Sequence, residues 1–121
     1  MKYLTTDEFK KKVMDYTAKD QKFLGTRPAI IKFTAEWCGP CKMMNPVLEQ
    51  IEKDYDGKLD IYNVDVDNEH EPAAAFGIRS IPNMIFIPID GAPERMVGAL
   101  PRKSVTDAIK RLFKIEPAPV S

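Results

Sequence analysis

Short stretches of apolar and β-branched residues predict the strands of this chain. The most apolar stretch is "AIIKFTA" at 29–35, which a single charged residue, Lys32, interrupts. A run this short and this apolar is typical of a strand that is buried on both faces of a sheet. "KYL" at 2–4 and "LDIYNVDV" at 59–66 predict two further strands. "NMIFIPI" and "RMVGA", on either side of "DGAPE", predict a hairpin.

Apolar residues spaced three and four apart predict a long helix in the middle of the chain. Pro46 falls inside this helix, where it removes one backbone hydrogen bond and should kink the helix axis. The apolar stripe should face the sheet. It consists of Cys41, Met44, Leu48, Ile51 and Tyr55.

Three shorter helices are predicted in the same way. The first begins at Thr6, beside two acids that suit the positive end of a helix dipole, and would extend to Tyr16. Residues 67–77 predict a turn and a short helix with Pro72 in its first turn and Gly77 at the C′ position, just beyond its end. A last helix is predicted with Ser104 as its cap. The order β-α-β-α-β-α-β-β-α predicts an α/β fold, with a mixed sheet covered by helices.

Length and composition limit the class of protein. The chain has 121 residues, enough for one domain, which we place at residues 1–115 with the Pro-rich residues 116–121 as a disordered tail. Eighteen Lys and Arg balance eighteen Asp and Glu, which argues against a nucleic-acid-binding surface. No apolar run approaches the roughly 20 residues that span a bilayer, and the first residues lack the apolar core of a signal peptide. We therefore expect a cytoplasmic protein without membrane contact, although an export signal removed before residue 1 would leave the same trace.

Both cysteines of the chain lie in "AEWCGPCK" at 35–42. The predicted strand ends near Ala35 and the long helix begins near Cys38, where unpaired N–H groups would stabilise a thiolate. Cys41 lies one turn later on the apolar stripe and should be more buried. We therefore expect Cys38 to be the exposed thiol that attacks a substrate disulfide, and Cys41 to resolve the mixed disulfide. A C-x-x-C pair beside a βαβ pattern is itself a redox signal.

Two other interpretations of the cysteine pair stay open at this point. A structural zinc ion normally takes four cysteine or histidine ligands, and the chain offers only Cys38, Cys41 and His70. The cysteines could also be core thiols without chemistry, which would make their place between a strand and a helix an accident. We expect no metal and no cofactor, only a redox-active Cys38–Cys41 disulfide. His70 lies in the polar run "DNEHEP" and is expected to be a solvated loop residue.

Three separate motifs carry a resemblance to a known family. "WCGPCK" at 37–42 matches an active-site motif in full, and Pro46 matches a helix-kinking proline. "FGIRSIPN" at 76–83 resembles the stretch around a cis-proline, and "VGA" at 97–99 resembles a third substrate-facing segment. The three motifs occur in the same order as in the thioredoxin family, which the chain resembles over about residues 5–113.

The resemblance implies the thioredoxin fold, a central mixed five-stranded sheet flanked by about four helices. It also implies a monomer that reduces disulfide-containing protein substrates, with a thioredoxin reductase that uses NADPH as its electron donor. The Gly39-Pro40 dipeptide indicates the reducing branch of the superfamily, because its oxidases and isomerases usually carry other dipeptides.

A substrate groove around Cys38 is also implied by the resemblance. It singles out the Ile81-Pro82 bond as cis, whereas X-Pro bonds in folded proteins are cis only about 5–6% of the time. The backbone of Ile81 would then pair with an extended substrate. For Gly98 and Ala99, a plain edge strand remains the alternative interpretation. The complete groove would consist of Trp37, Gly39, Pro40, Ile81, Pro82, Gly98 and Ala99.

Lys32 departs from the family, which usually carries a buried aspartate six residues before the first cysteine. The lysine that accompanies this acid aligns with Asn63, and the tryptophan four residues before the first cysteine is replaced by Thr34. We expect Lys32 to modulate the cysteines with an ammonium that reaches water on its long stem and raises the redox potential by stabilising thiolates. Alternatively, a neutral Lys32 could accept the proton of Cys41, or the side chain could point away from both cysteines.

The sequence thus predicts a protein thiol-disulfide oxidoreductase that reduces substrates by dithiol-disulfide exchange at Cys38 and Cys41. Such a protein would serve electron transport and cell redox homeostasis. One alternative is a dedicated oxidase or isomerase on the same fold. Another is a binding subunit with this fold, which the two intact cysteines argue against because a pure adaptor does not need them.

Overall fold

The computed structural model describes residues 1–119, and its helices and strands follow the predicted order. Within these residues, no helix combines the length and the apolar character that crossing a bilayer requires. The strands are β1 Lys2–Tyr3, β2 Ala29–Thr34, β3 Asp60–Asp65, β4 Asn83–Ile87 and β5 Glu94–Val97. The helices are α1 Thr6–Lys12, α2 Gly39–Asp54, α3 His70–Ala75 and α4 Arg102–Phe113.

The five strands form one mixed sheet in the order β1-β3-β2-β4-β5. β3 is parallel to both β1 and β2, whereas β4 runs antiparallel to β2 and to β5. β2 is therefore the central strand, which explains why every one of its residues is buried. The register places Lys32 between Asn63 of β3 and Met84 of β4. The predicted α/β class, with a mixed five-stranded sheet and flanking helices, is confirmed.

Alternation along β2 divides the core into two layers. Ile30 packs in one layer with Leu48 of α2 and with residues of α4. Phe33 packs in the other layer with Phe9 of α1 and with residues of α3. Because side chains two residues apart on a strand share a face, Lys32 points to the same side as Ile30. The central lysine is thus directed into the layer that α2 covers.

The connection from β2 to α2 places both cysteines at one edge of the sheet. The chain leaves β2 at Ala35, whose carbonyl accepts a hydrogen bond from the Cys38 N–H (3.2 Å). Pro40 lies in the first turn of α2, where its missing N–H costs no helical hydrogen bond. α2 continues past Pro46 as far as Asp54, and the kink at this proline stays a prediction. The predicted apolar stripe is buried at Cys41, Met44, Leu48 and Ile51.

Helix α1 begins at Thr6 as predicted, and a residue outside the helix caps it. The Thr5 Oγ1 accepts a hydrogen bond from the Glu8 N–H (3.1 Å), and the Glu8 Oε1 accepts one from the Thr5 N–H (3.1 Å). This reciprocal arrangement is a capping box, which satisfies two N–H groups that a helix start would otherwise leave unpaired.

The prediction that α1 extends to Tyr16 is wrong. The helix ends at Lys12, because the Asp15 side chain accepts hydrogen bonds from the N–H and the hydroxyl of Thr17 and so stabilises a local turn. Tyr16 nevertheless lies beside Phe9, with ring centroids 6.0 Å apart. Tyr16 therefore reaches Phe9 from a turn, and the apolar spacing that predicted a longer helix does not require one.

The prediction that Ser104 caps the last helix is also wrong. α4 begins at Arg102, and Pro101 occupies the N-cap position with an extended backbone (φ −63°, ψ 152°). The Pro101 carbonyl accepts a hydrogen bond from the Ser104 N–H (3.0 Å), so Ser104 lies inside the first turn. Proline has no side-chain acceptor, but its fixed φ suits the entry to a helix.

Residues 116–119, at the start of the predicted tail, belong to neither a helix nor a strand. The Ala118 N–H donates to the carbonyl of Asp54 (2.7 Å), and the Lys58 ammonium donates to the carbonyl of Glu116 (2.9 Å). These contacts attach the segment to the end of α2 and to the connection that follows it. Residues 120 and 121 of the predicted tail lie outside the described residues, and the domain boundary at residue 115 stays a prediction.

Candidate active site

Cys38 and Cys41 form a disulfide at the start of α2, with their Cα atoms 5.3 Å apart. Cys38 is the N-cap residue of this helix, and its Sγ accepts a hydrogen bond from the Cys41 N–H (3.2 Å). The first N–H groups of a helix have no partner within the helix, and they carry the positive end of its dipole. The same N–H would stabilise a Cys38 thiolate once the disulfide is reduced.

The exposure of the two cysteines is only partly as expected. Cys41 is completely buried, and Cys38 is only 4% exposed. Their order of exposure matches the prediction, but the expectation of an exposed Cys38 is wrong for the disulfide form. The disulfide holds Cys38 against its buried partner, and Ala35, Val66 and Ile81 pack around the pair.

The segment around Pro82 lies beside this disulfide and is bonded to a second segment of the chain. The Ile81-Pro82 bond is cis, as the resemblance implied, and the half-buried Ile81 packs against the cysteines. The carbonyl of Pro82 accepts a hydrogen bond from the Gly98 N–H (2.8 Å). Gly98 has a φ of +98°, in a left-handed region that L side chains rarely adopt, so glycine suits this position. Ile81 thus contacts the cysteines, and Gly98 is bonded to the neighbouring Pro82.

The remaining residues of the predicted groove lie at the surface. Gly39 and Pro40 are exposed in the first turn of α2, and Ala99 is exposed beyond the end of β5. Trp37 is 70% exposed, and its indole N–H donates to the Asp67 carboxylate (2.7 Å). Sequence reasoning missed this role of Asp67. Its place just after β3, at the edge of the sheet where β2 also ends, was the available signal.

The other polar residues of this region do not form a catalytic pair or a metal site. Asp65 accepts hydrogen bonds from the N–H groups of Asp67 (2.8 Å) and Asn68 (3.1 Å), so it stabilises a turn. His70 is exposed as expected, but it is the first residue of α3 and not a loop residue. Among residues 1–119, no three His, Cys, Asp or Glu side chains are grouped so that they could hold a metal ion.

Lys32 is completely buried and contacts the active-site helix. Its Nζ donates to the carbonyl oxygen of Cys41 (3.1 Å) and to the side-chain oxygen of Asn45. The expectation that the ammonium reaches water is wrong, because Lys32 lies on the central strand and α2 covers the face to which it points. The alternative that it points away from the cysteines is wrong as well.

The surroundings of Lys32 disfavour its charged form. Burial lowers the pKa of its ammonium to about 8, and the opposing effect of the Glu49 carboxylate is smaller. The neighbouring side chain of Asn63 is also buried, and its oxygen has no hydrogen-bond partner among the described residues. Asn45 was missed by sequence reasoning. It lies four residues after Cys41, a spacing that places both side chains on one face of α2.

Comparisons with known proteins agree with this geometry. A model of the family described as Thioredoxin matches residues 1–111. The thioredoxin of Borreliella burgdorferi is 45% identical over 111 residues, which cover 91% of this chain and 95% of that protein. The chloroplastic M-type thioredoxin of Spinacia oleracea is 37% identical over 84 residues, or 69% of this chain and 46% of that protein. The chain therefore spans about half the length of the chloroplastic relative.

A solved structure extends the comparison to the fold. The crystal structure of chloroplastic thioredoxin z superimposes with a TM-score of 0.77, covers 93% of both chains and is 23% identical in sequence. With a family match over most of the chain and a C-x-x-C pair joined in a disulfide, the predicted thiol-disulfide oxidoreductase and protein-disulfide reductase activities are confirmed. This chain belongs to the thioredoxin family.

Proposed function

We propose that Cys38 is the attacking nucleophile of this protein-disulfide reductase and that Cys41 is the resolving cysteine. The observation that carries this assignment is the hydrogen bond from the Cys41 N–H to the Cys38 Sγ at the N-cap of α2 (3.2 Å). A thiolate in this position is favoured by the hydrogen bond and by the helix dipole. Cys41 lies inside the helix and lacks this environment.

The reaction consists of two thiol-disulfide exchanges. The Cys38 thiolate attacks one sulfur of the substrate disulfide, so that a mixed disulfide forms and the other substrate sulfur leaves as a thiolate. The Cys41 thiolate then attacks the Cys38 Sγ, which forms the Cys38–Cys41 disulfide and releases the second substrate sulfur as a thiolate. The substrate gains two electrons, and the two cysteines lose them. Solvent supplies the protons that the substrate thiolates take up.

A groove around Cys38 would hold the substrate in an extended conformation. The contact of Ile81 with the cysteine pair and the hydrogen bond from the Gly98 N–H to the Pro82 carbonyl support this role. The substrate backbone would pair with that of Ile81. Gly98 and Ala99 directly follow β5 at the edge of the sheet, so a purely structural role for these two residues stays open. The proposed substrate-binding residues are Trp37, Gly39, Pro40, Ile81, Pro82, Gly98 and Ala99.

The oxidised cysteines must regain two electrons after each turnover. A thioredoxin reductase that uses NADPH is the proposed donor, since this is the usual arrangement in the family. Disulfide-containing proteins are the proposed acceptors, in a role in electron transport and cell redox homeostasis. We further propose that the protein is a cytoplasmic monomer. We propose no bound cofactor, because the chemistry above needs only the two cysteines.

Single-cysteine variants test the two roles. With an oxidised protein substrate, Cys41→Ser should accumulate a stable mixed disulfide at Cys38, because no resolving thiol is present. Cys38→Ser should accumulate little mixed disulfide, because the attacking sulfur is missing. Limited iodoacetamide treatment of the reduced wild-type protein, followed by mass mapping, should show faster labelling of Cys38. Faster labelling of Cys41, together with trapping by Cys38→Ser, would reverse the assignment.

A further inference from the structure

Lys32 carries a buried ammonium group without an anionic partner in the disulfide form. The side chain is 0% exposed, and its two hydrogen-bond acceptors are neutral oxygen atoms of Cys41 and Asn45. Across residues 1–119, no carboxylate lies within salt-bridge distance of its Nζ. A buried and unpaired charge costs several kcal/mol, so its presence beside a reactive cysteine calls for an explanation.

The elements around Lys32 provide only two groups that could carry a negative charge. β3 contributes the neutral Asn63, and β4 contributes the apolar Met84. α2 contributes Glu49, whose side chain is exposed and acts on the ammonium only from a distance. The other group is the thiol of Cys41, the residue whose carbonyl already accepts a hydrogen bond from Lys32. Reduction of the disulfide thus creates an ionisable group on a residue that the Lys32 ammonium already contacts.

We propose that Lys32 is a positioning residue for the resolving step, in which its buried ammonium is the counter-charge that stabilises the Cys41 thiolate of the reduced protein. This inference rests on the role proposed above for Cys41. In a low-dielectric interior, a positive charge within about 4–6 Å favours the ionised form of an acidic group by a factor of ten or more. When Cys41 attacks Cys38, the thiolate charge passes to the departing substrate sulfur. The ammonium is then left with only neutral partners, as in the disulfide form.

The test follows the reaction of reduced protein with 5,5′-dithiobis(2-nitrobenzoate) in a stopped-flow instrument. Attack by Cys38 releases one thionitrobenzoate, and attack by Cys41 on the resulting mixed disulfide releases a second. The rate of the second release, measured against pH, reports the ionisation of Cys41. In Lys32→Met we expect this release to be roughly tenfold slower at pH 7, with its pH midpoint about one unit higher. The first release should change by less than about twofold, since it does not need the Cys41 thiolate.

Two further variants separate the charge from other effects. Lys32→Gln is neutral but can still donate a hydrogen bond to the Cys41 carbonyl, and it should behave like Lys32→Met. Lys53→Met removes an exposed ammonium from the last turn of α2, outside the active-site motif, and should leave the midpoint of the second release unchanged. The proposal would be overturned if the pH midpoint of the second release equalled that of wild type in both Lys32 variants, or in Lys32→Gln alone. Absence of a second release from the wild-type protein would instead contradict the role of Cys41.

Discussion

Replacement of Lys32 by methionine should change how the stability of the oxidised protein depends on pH. The pKa of this ammonium falls from 10.5 to about 8 on folding, because the side chain loses its hydration. Between these two values the unfolded chain binds a proton that the folded chain does not bind, so wild-type stability rises with pH in this window. The cost of Lys32 is therefore fully present below pH 8 and is removed as the pH rises towards 10.5.

The size of the effect follows from the difference between the two pKa values. One pKa unit corresponds to about 1.4 kcal/mol, so the shift of Lys32 costs the folded state about 3 kcal/mol at pH 7. By the same relation, less than half of this cost remains at pH 9.5 and little of it at pH 10.5. Lys32→Met also loses two hydrogen bonds and gains apolar burial, but these effects do not depend on pH. The difference in the free energy of unfolding between Lys32→Met and wild type should therefore change by about 3 kcal/mol between pH 7 and pH 10.5.

Urea unfolding of the oxidised proteins between pH 7 and 10.5 measures this difference. The stability advantage of Lys32→Met over wild type should shrink steadily across the range. Groups that titrate at high pH in both proteins, such as the tyrosines, cancel in the comparison. Lys53→Met serves as the control, because folding does not remove this exposed ammonium from water. A difference between Lys32→Met and wild type that stays constant from pH 7 to 10.5 would refute the desolvation argument.

Three further predictions concern the caps, the core and the redox couple. Thr5→Ala should lower the free energy of unfolding by about 1 kcal/mol, because the Glu8 N–H loses its acceptor; an unchanged urea midpoint would contradict this role of the cap. Phe9→Ala should cost about 3–5 kcal/mol in the same assay, since the ring is completely buried, and a loss below about 1 kcal/mol would show that the site collapses. Titration against glutathione should show Lys32→Met more reducing by about 30 mV if the ammonium stabilises the reduced form by about 1.4 kcal/mol, whereas an equal potential would mean that the charge does not reach the cysteines.

The parts of the fold that local sequence determines could be predicted. The apolar run of β2, which only Lys32 interrupts with a charge, and the three- and four-residue spacing of α2 each depend on residues close together in the chain. Together they also place Cys38 between a strand and a helix, which is enough to expect a helix N-terminus beside its sulfur. The end of α1 was harder, since Asp15 forms a turn that competes with the helix although the apolar spacing continues to Tyr16.

The environment of Lys32 could not be predicted, because it depends on how distant elements pack. The sequence shows a lysine in an apolar strand, but not that α2 closes over it before its stem can reach water. Its contact with Asn45 joins positions 13 residues apart in the chain. The bond between Trp37 and Asp67 likewise joins two loops that only the sheet brings together, 30 residues apart. Both contacts became visible only once β2, β3 and α2 were assembled.

Reduction of insulin by dithiothreitol tests most directly whether this chain works by dithiol-disulfide exchange at Cys38 and Cys41. The reduced B chain precipitates, so turbidity reports the rate at which the protein passes electrons to a disulfide substrate. Wild-type protein should accelerate the onset of turbidity strongly. Cys38→Ser should give the rate of dithiothreitol alone, because the attacking sulfur is missing. Equal acceleration by wild type and Cys38→Ser would contradict the account.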